Sequence, residues 1–246
     1  HGGLFVALAC LACLFSPKVS AGPNLLPNGS FDNPTNALAG WMYDYRWLGN
    51  KLYMDNHTYV SALAKDGNRK GVLKMFGPSK AVLVDTGQGV WVDSKLIPYE
   101  YPYRYKITLW ARTEGPNARI FVRGVMWQSG RTPHPDPDLT EMVPKPPNAL
   151  IQQGSGHLVY FSGKKSGDSS DPKSTWSKGE TIFPDIDPSA EEIKRLQRTD
   201  FFFLHICALF GTPGDLLIDD VTIEKLNEKA KVDAPAKPSS SQKKTK

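Results

Sequence analysis

Cysteine is almost missing from this chain. Three occur in 246 residues, Cys10 and Cys13 in an apolar amino-terminal run and Cys207 far downstream. A chain shortened after Ala21 keeps Cys207 alone, so no intrachain disulfide forms and stability has to come from core size or a metal. Cys207 lies within the apolar run Phe201 to Leu209 and reads as a small buried side chain rather than a catalytic thiol. Charge of one sign is also absent from the body. The formal net charge is +5, but it resides in Lys18 and in the six Lys at 229, 231, 237, 243, 244 and 246, opposed there by Glu228 and Asp233. The neutral stretch between has no footprint for a phosphate backbone, which argues against a nucleic-acid partner.

Long hydrophobic runs are lacking too. Leu4 to Phe15 spans roughly a dozen residues, short of the ~20 that a membrane-spanning helix needs. Followed by Ser16, Pro17, Lys18 and the small-residue pattern Val19-Ser20-Ala21, it reads as a secretory signal over residues 1–21 without its basic start; the small residues before Cys10 and Cys13 keep a lipoprotein signal open. Residues 227–246 are Lys-, Pro- and Ser-rich and have nothing to bury, so a disordered tail is predicted, either a solvated end or a tether to an acidic cell surface. Two sequons, Asn28-Gly29-Ser30 and Asn56-His57-Thr58, matter if the exported chain is glycosylated.

Reactive motifs are missing. Gly154-Ser155-Gly156 lacks the spacing of a nucleophile elbow, and no His-Glu-x-x-His occurs. Gly163-Lys164 lacks the rest of a phosphate loop, and His57, His134, His157 and His205 stand isolated. Paired carboxylates that converge only in three dimensions stay open as glycosidase machinery. Asp185, Asp187, Ser189 and Glu191 imitate a calcium loop, but Ala190 replaces the turn glycine and Leu196 the closing ligand. His134, Asp136 and Asp138 alternate with prolines and read as loop charges before they read as a metal site.

What is present is strand. Gly71–Phe76, Ala81–Val84, Gly89–Val92, Tyr103–Arg112, Ala118–Trp127, His157–Phe161, Asp200–Phe210 and Leu216–Leu226 are rich in β-branched and aromatic residues and bounded by Gly, Pro, Asn or Asp. Tyr105, Ile107, Leu109 and Ala111 share one pleat face, with Lys106, Thr108, Trp110 and Arg112 on the other. Short alternating strands without helices between them predict an all-β, antiparallel sandwich over residues 22–226. One peripheral helix is predicted over Pro188–Arg198, capped by Asp187, with acids early and bases late. Gln128–Asn148 and Ser162–Lys178 read as long loop insertions.

At both ends the chain resembles a known family. Asn24-Leu-Leu-Pro-Asn-Gly-Ser-Phe-Asp32 followed by Gly40-Trp41 is similar to the opening of CenC-like carbohydrate-binding modules, of the galactose-binding-like jelly-roll superfamily, and Leu216–Leu226 resembles their closing strand. Gly89–Pro98 and Tyr103–Arg112 resemble the middle strands. The resemblance implies a jelly roll whose first and last strands are neighbours, with a structural calcium where they meet. It makes Asp32 and Asp219 or Asp220 candidate calcium ligands. Two adjacent carboxylates on a strand cannot both face an apolar core, and a hard cation accepts such oxygens; an exposed Asp beside one bonded to loop amides satisfies the same constraint.

A glycan needs flat apolar platforms and directional polar groups. Trp41, Tyr43, Tyr45 and Trp47 would form one row on a strand. Gly40-Trp41 matches a core position of the resembled family, leaving Tyr45 and Trp47 as candidates. A second candidate face combines Trp110 and Arg112 with Arg123 and Trp127, bordered by Tyr99 and Tyr101; indole beside guanidinium suits hydroxyl or carboxylate recognition. The leading expectation is a secreted, non-catalytic β-sandwich that binds a polysaccharide or glycan. The alternatives are a jelly-roll glycosidase or lyase, and a cell-envelope interaction protein.

Overall fold

The structure, a computed structural model, describes residues 22–49, 55–79, 89–130, 132–142, 150–161, 175–209 and 211–231. The expected signal, the strand expected at Ala81–Val84, most of the second loop insertion and the tail beyond 231 lie outside the described residues. The strands are β1 (Trp41–Met42), β2 (Val60–Asp66), β3 (Arg69–Gly77), β4 (Val90–Ser94), β5 (Ile97–Pro98), β6 (Tyr103–Thr113), β7 (Ala118–Trp127), β8 (Leu150–Phe161), β9 (Ser177–Phe183), β10 (Phe201–Ala208) and β11 (Gly214–Lys229). One sheet runs β1-β4-β10-β7-β8 with β5 beside β10, and the other runs β2-β3-β11-β6-β9. Every pairing is antiparallel. The fold is therefore the antiparallel sandwich expected from the strand pattern, of the jelly-roll kind that the resemblance implies.

The pleat decides which side chains meet. On β6, Tyr105, Ile107, Leu109 and Ala111 are buried, and Lys106, Thr108, Trp110 and Arg112 face outward in partial exposure. Opposite lie Phe202, Leu204 and Ile206 of β10 and Ile120 and Val122 of β7, joining the same core as Leu73, Met75, Ile218 and Ile223. Each such aliphatic side chain, fully withdrawn from water, stabilises the fold by about 1.5–3 kcal/mol. The amino-terminal segment runs along β11, as the resemblance implies: Leu25 N donates to Ile223 O at 2.8 Å and Val221 N donates to Gly29 O at 2.9 Å. A Cβ on Gly29 would lie 1.9 Å from Val221 O, so only glycine permits that approach.

β10 departs from simple alternation, because all eight of its residues are buried. Phe202, Leu204, Ile206 and Ala208 belong to the central core. On the opposite face, Phe201 and Phe203 pack with Leu96 and Val125, while Cys207 packs with Tyr45 and Trp91. This outer face is thus roofed by chain outside the sheets, including Tyr45, Leu48 and Leu139.

The helix α1 spans Ala190–Leu196, shorter than predicted, and its cap is Ser189, whose Oγ accepts from Glu192 N at 3.2 Å. Ser189 takes the capping role expected of Asp187 because its side chain sits three residues before that free amide. β11 continues to Lys229, and Ala230 N and Lys231 N still bond Pro102 O and Ile186 O, so the ordered body extends past 226.

Candidate ligand cleft

The β2–β3 hairpin builds one side of an open depression. Asp66 pairs with Arg69 across the turn at Gly67-Asn68. Two residues on, Gly71 adopts φ +66°, and a Cβ there would lie 2.3 Å from Phe31 O, so the hairpin lies tight against the chain leading to Asp32. On β11 the register slips between Asp219 and Thr222, with Asp220 at φ 49°. Such a bulge re-aims side chains that would otherwise alternate. Asp219 lies opposite Trp110, and Trp176 immediately precedes β9, the neighbour of β6 on its other edge. These elements enclose a cleft of about 740 Å³ lined by Asp32, Asp66, Asn68, Lys70, Arg112 and Trp176, together with Ser30, Gly67, Arg69, Asp219 and Asp220.

Arg69 is the centre of the cleft. Its guanidinium carbon lies 4.7 Å from the Trp110 ring centroid and 4.6 Å from that of Trp176, and its Nη1 donates to Asp219 Oδ2 at 2.8 Å and Asp220 Oδ2 at 2.7 Å. Indole faces attract a cation through the ring quadrupole, and this one also meets carboxylates. Asp66 ties the wall together, accepting from Trp176 Nε1 at 2.9 Å and from Arg112 Nη2 at 3.1 Å. Arg112 also reaches Glu114 at 3.1 Å, and its buried Nε has no hydrogen-bond partner. Burial pushes the Asp219 carboxyl above its ordinary range against the opposing pull of Arg69.

The calcium candidates Asp32, Asp219 and Asp220 all line this one cleft. Asp219 and Asp220 are engaged by a guanidinium, Asp32 accepts from Ser30 Oγ at 2.7 Å, and among the described residues no group of three His, Cys, Asp or Glu is arranged around a metal position. A fixed cation between the two aspartates is a poor fit for a calcium ion, which requires those oxygens for itself.

The other expected faces come apart. Trp110 and Arg112 sit on β6 in one sheet, whereas Arg123 and Trp127 sit on β7 in the other, so the four do not share a surface. The alternation within each strand carries no information about which sheet the strand joins. Trp127 packs between Phe201 and His134, with ring centroids 6.0 and 5.0 Å away, and Arg123 lies over Phe121 at 5.6 Å. The row Trp41, Tyr43, Tyr45, Trp47 does not form, because β1 ends at Met42 and a 3-10 turn follows at Arg46–Leu48. Trp41 is in the core, Tyr45 is buried against Trp91, and Trp47 is exposed. Tyr99 is a core residue in contact with Tyr105, Phe183 and Phe202.

Tyr45 reveals a second cluster on the roofed face. Its hydroxyl donates to Asp93 Oδ2 at 2.6 Å, and the other Asp93 oxygen lies 2.5 Å from His205 Nδ1. Burial, then the Asp93 charge, pushes the Tyr45 phenol well above its ordinary value. Nothing in the local sequence marks Asp93 or His205. The β2–β3 hairpin, by contrast, had a signal, since Asp66-Gly67 between polar-flanked strands is a turn pattern. Arg69 and Trp176 follow only once that hairpin and β9 are placed.

No family model matches the chain, and no curated protein matches it. No helix of the described residues is long and apolar enough to cross a membrane. Among solved structures the chain is similar to a family 16 carbohydrate-binding module, at 17% identity and TM-score 0.41, covering 81% of this chain and 99% of that one. It is also similar to a CBM22-1 xylan-binding domain from Paenibacillus barcinonensis, at 13% identity and TM-score 0.43, covering 84% and 96%. An α-L-arabinofuranosidase matches at 14% identity and TM-score 0.43, where the likeness covers 85% of this chain and 27% of the enzyme.

Proposed function

We propose that this chain is a secreted, non-catalytic β-sandwich protein that binds a polysaccharide or glycan in the cleft between the β2–β3 hairpin and β6. One observation carries the reading. A single open depression of about 740 Å³ brings the Trp176 indole together with the hydrogen-bonding groups of Asp32, Asp66, Asn68, Lys70 and Arg112. An apolar wall with a few fixed polar groups matches the C–H face and hydroxyl rim of a pyranose. The stack of Trp110, Arg69 and Trp176 holds that wall rigid before any ligand arrives, which lowers the entropic cost of binding.

A catalytic reading is favoured by one feature, the Tyr45–Asp93–His205 cluster, which combines acid, base and aromatic groups on the opposite sheet. Affinity electrophoresis through gels containing a panel of glycans, followed by a reducing-sugar assay, separates the readings. Retardation that is lost in Trp176→Ala and Arg112→Ala, without release of reducing ends, supports binding in the cleft. Release that disappears in His205→Gln moves the assignment to catalysis, and neither retardation nor release leaves an interaction protein.

A further inference from the structure

We infer that the cleft selects neutral, hydroxyl-rich glycans and discriminates against uronate-containing ones; this rests on the binding reading just given. Two of the three lining cations that could attract a sugar carboxylate are already paired with carboxylates of the chain. Arg69 Nη1 bridges Asp219 and Asp220, and Arg112 Nη2 bridges Asp66 and Glu114. Arg69 also lies between two indoles, its guanidinium carbon 4.7 and 4.6 Å from their ring centroids, contacts that hold it in place rather than leaving its fork free for a ligand. Lys70 is the one lining cation without a carboxylate partner among the described residues. Four lining carboxylates, Asp32, Asp66, Asp219 and Asp220, face three cationic groups, Arg69, Lys70 and Arg112, which leaves the wall with an excess of acceptors.

An ionised carboxylate accepts and does not donate, so such a wall pairs with groups that donate, namely sugar hydroxyls. The exposed carboxylate of Asp220, at 54%, and the exposed Asp32 and Asn68 side chains stand where a ligand approaches. A uronate brings a like charge to this rim, and like charges disfavour one another most where water is partly excluded.

The test uses the full chain in affinity gels containing unsubstituted xylan, mixed-linkage glucan or galactan on one side and polygalacturonate or alginate on the other, at low and at high ionic strength. Expected is retardation by at least one neutral polymer, insensitive to salt, and binding to the uronates at least about tenfold weaker. The double variant Asp32→Asn with Asp220→Asn, whose asparagines tolerate the positive φ at 220, is expected to gain uronate retardation at low salt, so that the gap between neutral and uronate polymers narrows. Polygalacturonate binding by the unaltered chain as tight as the best neutral polymer overturns the inference while leaving the binding reading in place. A double variant that gains no uronate retardation overturns it too. Retardation by no polymer at all removes the binding reading, and the selectivity with it.

Discussion

Replacing Arg69 by Ala tests the wiring of the cleft most directly. Arg69 is 17% exposed, its partner Asp219 is 2% exposed, and its guanidinium also lies on the Trp110 and Trp176 rings. Removing one member of a buried pair strands the other charge and costs about 3–5 kcal/mol. Because Asp220 is mostly in water and Arg69 is not fully covered, about 3 kcal/mol is expected here. With a urea m-value of about 2 kcal/mol/M, the midpoint falls by about 1.5 M. The loss also depends on pH. Burial already raises the Asp219 carboxyl above its ordinary value, and Arg69 opposes that rise, so its removal raises the group further. For an acid whose folded value lies above the unfolded one, the folded state binds more protons in the window between the two. The stability this gives is full below about pH 3.9 and is lost as pH rises through the folded value. The gap between Arg69→Ala and the unaltered protein therefore widens from mildly acidic to neutral pH, and adding Asp219→Asn to the variant narrows it. Urea titrations of all three proteins across that range, monitored by tryptophan fluorescence, supply the measurement. A loss below about 1 kcal/mol that stays flat with pH refutes the reasoning, since it means that water reaches Asp219 and that the ring contacts are incidental.

Asn56 sits fully buried; its amide donates to Tyr43 O and Trp91 O at 2.8 Å each and its oxygen accepts from Trp91 N at 3.0 Å. Asn56→Ala is expected to cost about 2–4 kcal/mol in urea denaturation through those unsatisfied backbone groups, and mass spectrometry of the glycosylated chain should find Asn56 bare. Gly71→Ala demands positive φ from alanine and a Cβ 2.3 Å from Phe31 O, so a fall of several degrees in Tm is expected, together with loss of any glycan retardation. Cys207 is wholly buried and its thiol is pushed up by that burial, so Ellman's reagent should label it only as fast as the protein unfolds; rapid labelling in buffer would count against the roofed face. Because Arg69 already bridges Asp219 and Asp220, calcium or EDTA should leave the Tm of the unaltered protein in place, as read by differential scanning fluorimetry, and a clear rise with calcium would put a metal back between those aspartates.

Much of the sandwich was legible because strands announce themselves by a short-range rule. β6 and β7 could be bounded within a residue from alternation alone, and the pairing of the two chain ends followed from the resemblance. β2 and β9 escaped, since Val60–Asp66 mixes Ala and Lys into its faces and Ser177–Phe183 opens on Ser-Lys-Gly, so neither shows a clean apolar side. The roof over β10 was hidden for a related reason. A strand buried on both faces reads as a continuous apolar run, as Phe201–Leu209 does, but nothing local says that Tyr45, Leu48 and Leu139 come from elsewhere to cover it.

The cleft was half-legible for a more general reason. Trp110, Arg112, Asp32, Asp219 and Asp220 were recognisable as chemistry that an apolar core would reject, yet their meaning depended on a residue with no distinguishing pattern of its own. Arg69 is one basic residue in a polar hairpin tip, and what gives it a role is the bulge after Asp219, which leaves Asp220 beside Asp219 in the cleft, and the glycine that lets the hairpin settle on the Phe31–Asp32 backbone. Backbone irregularities of this kind set the direction of side chains without appearing in any periodicity. The two aspartates could be read as metal ligands only while the guanidinium was unplaced; once it stands between them at 2.7 and 2.8 Å, the same carboxylates become the anchor of an aromatic–cationic wall. The identity of the cation that neutralises them then governs what the cleft can bind, because a charge supplied from within the chain is permanent and one supplied from solution is not.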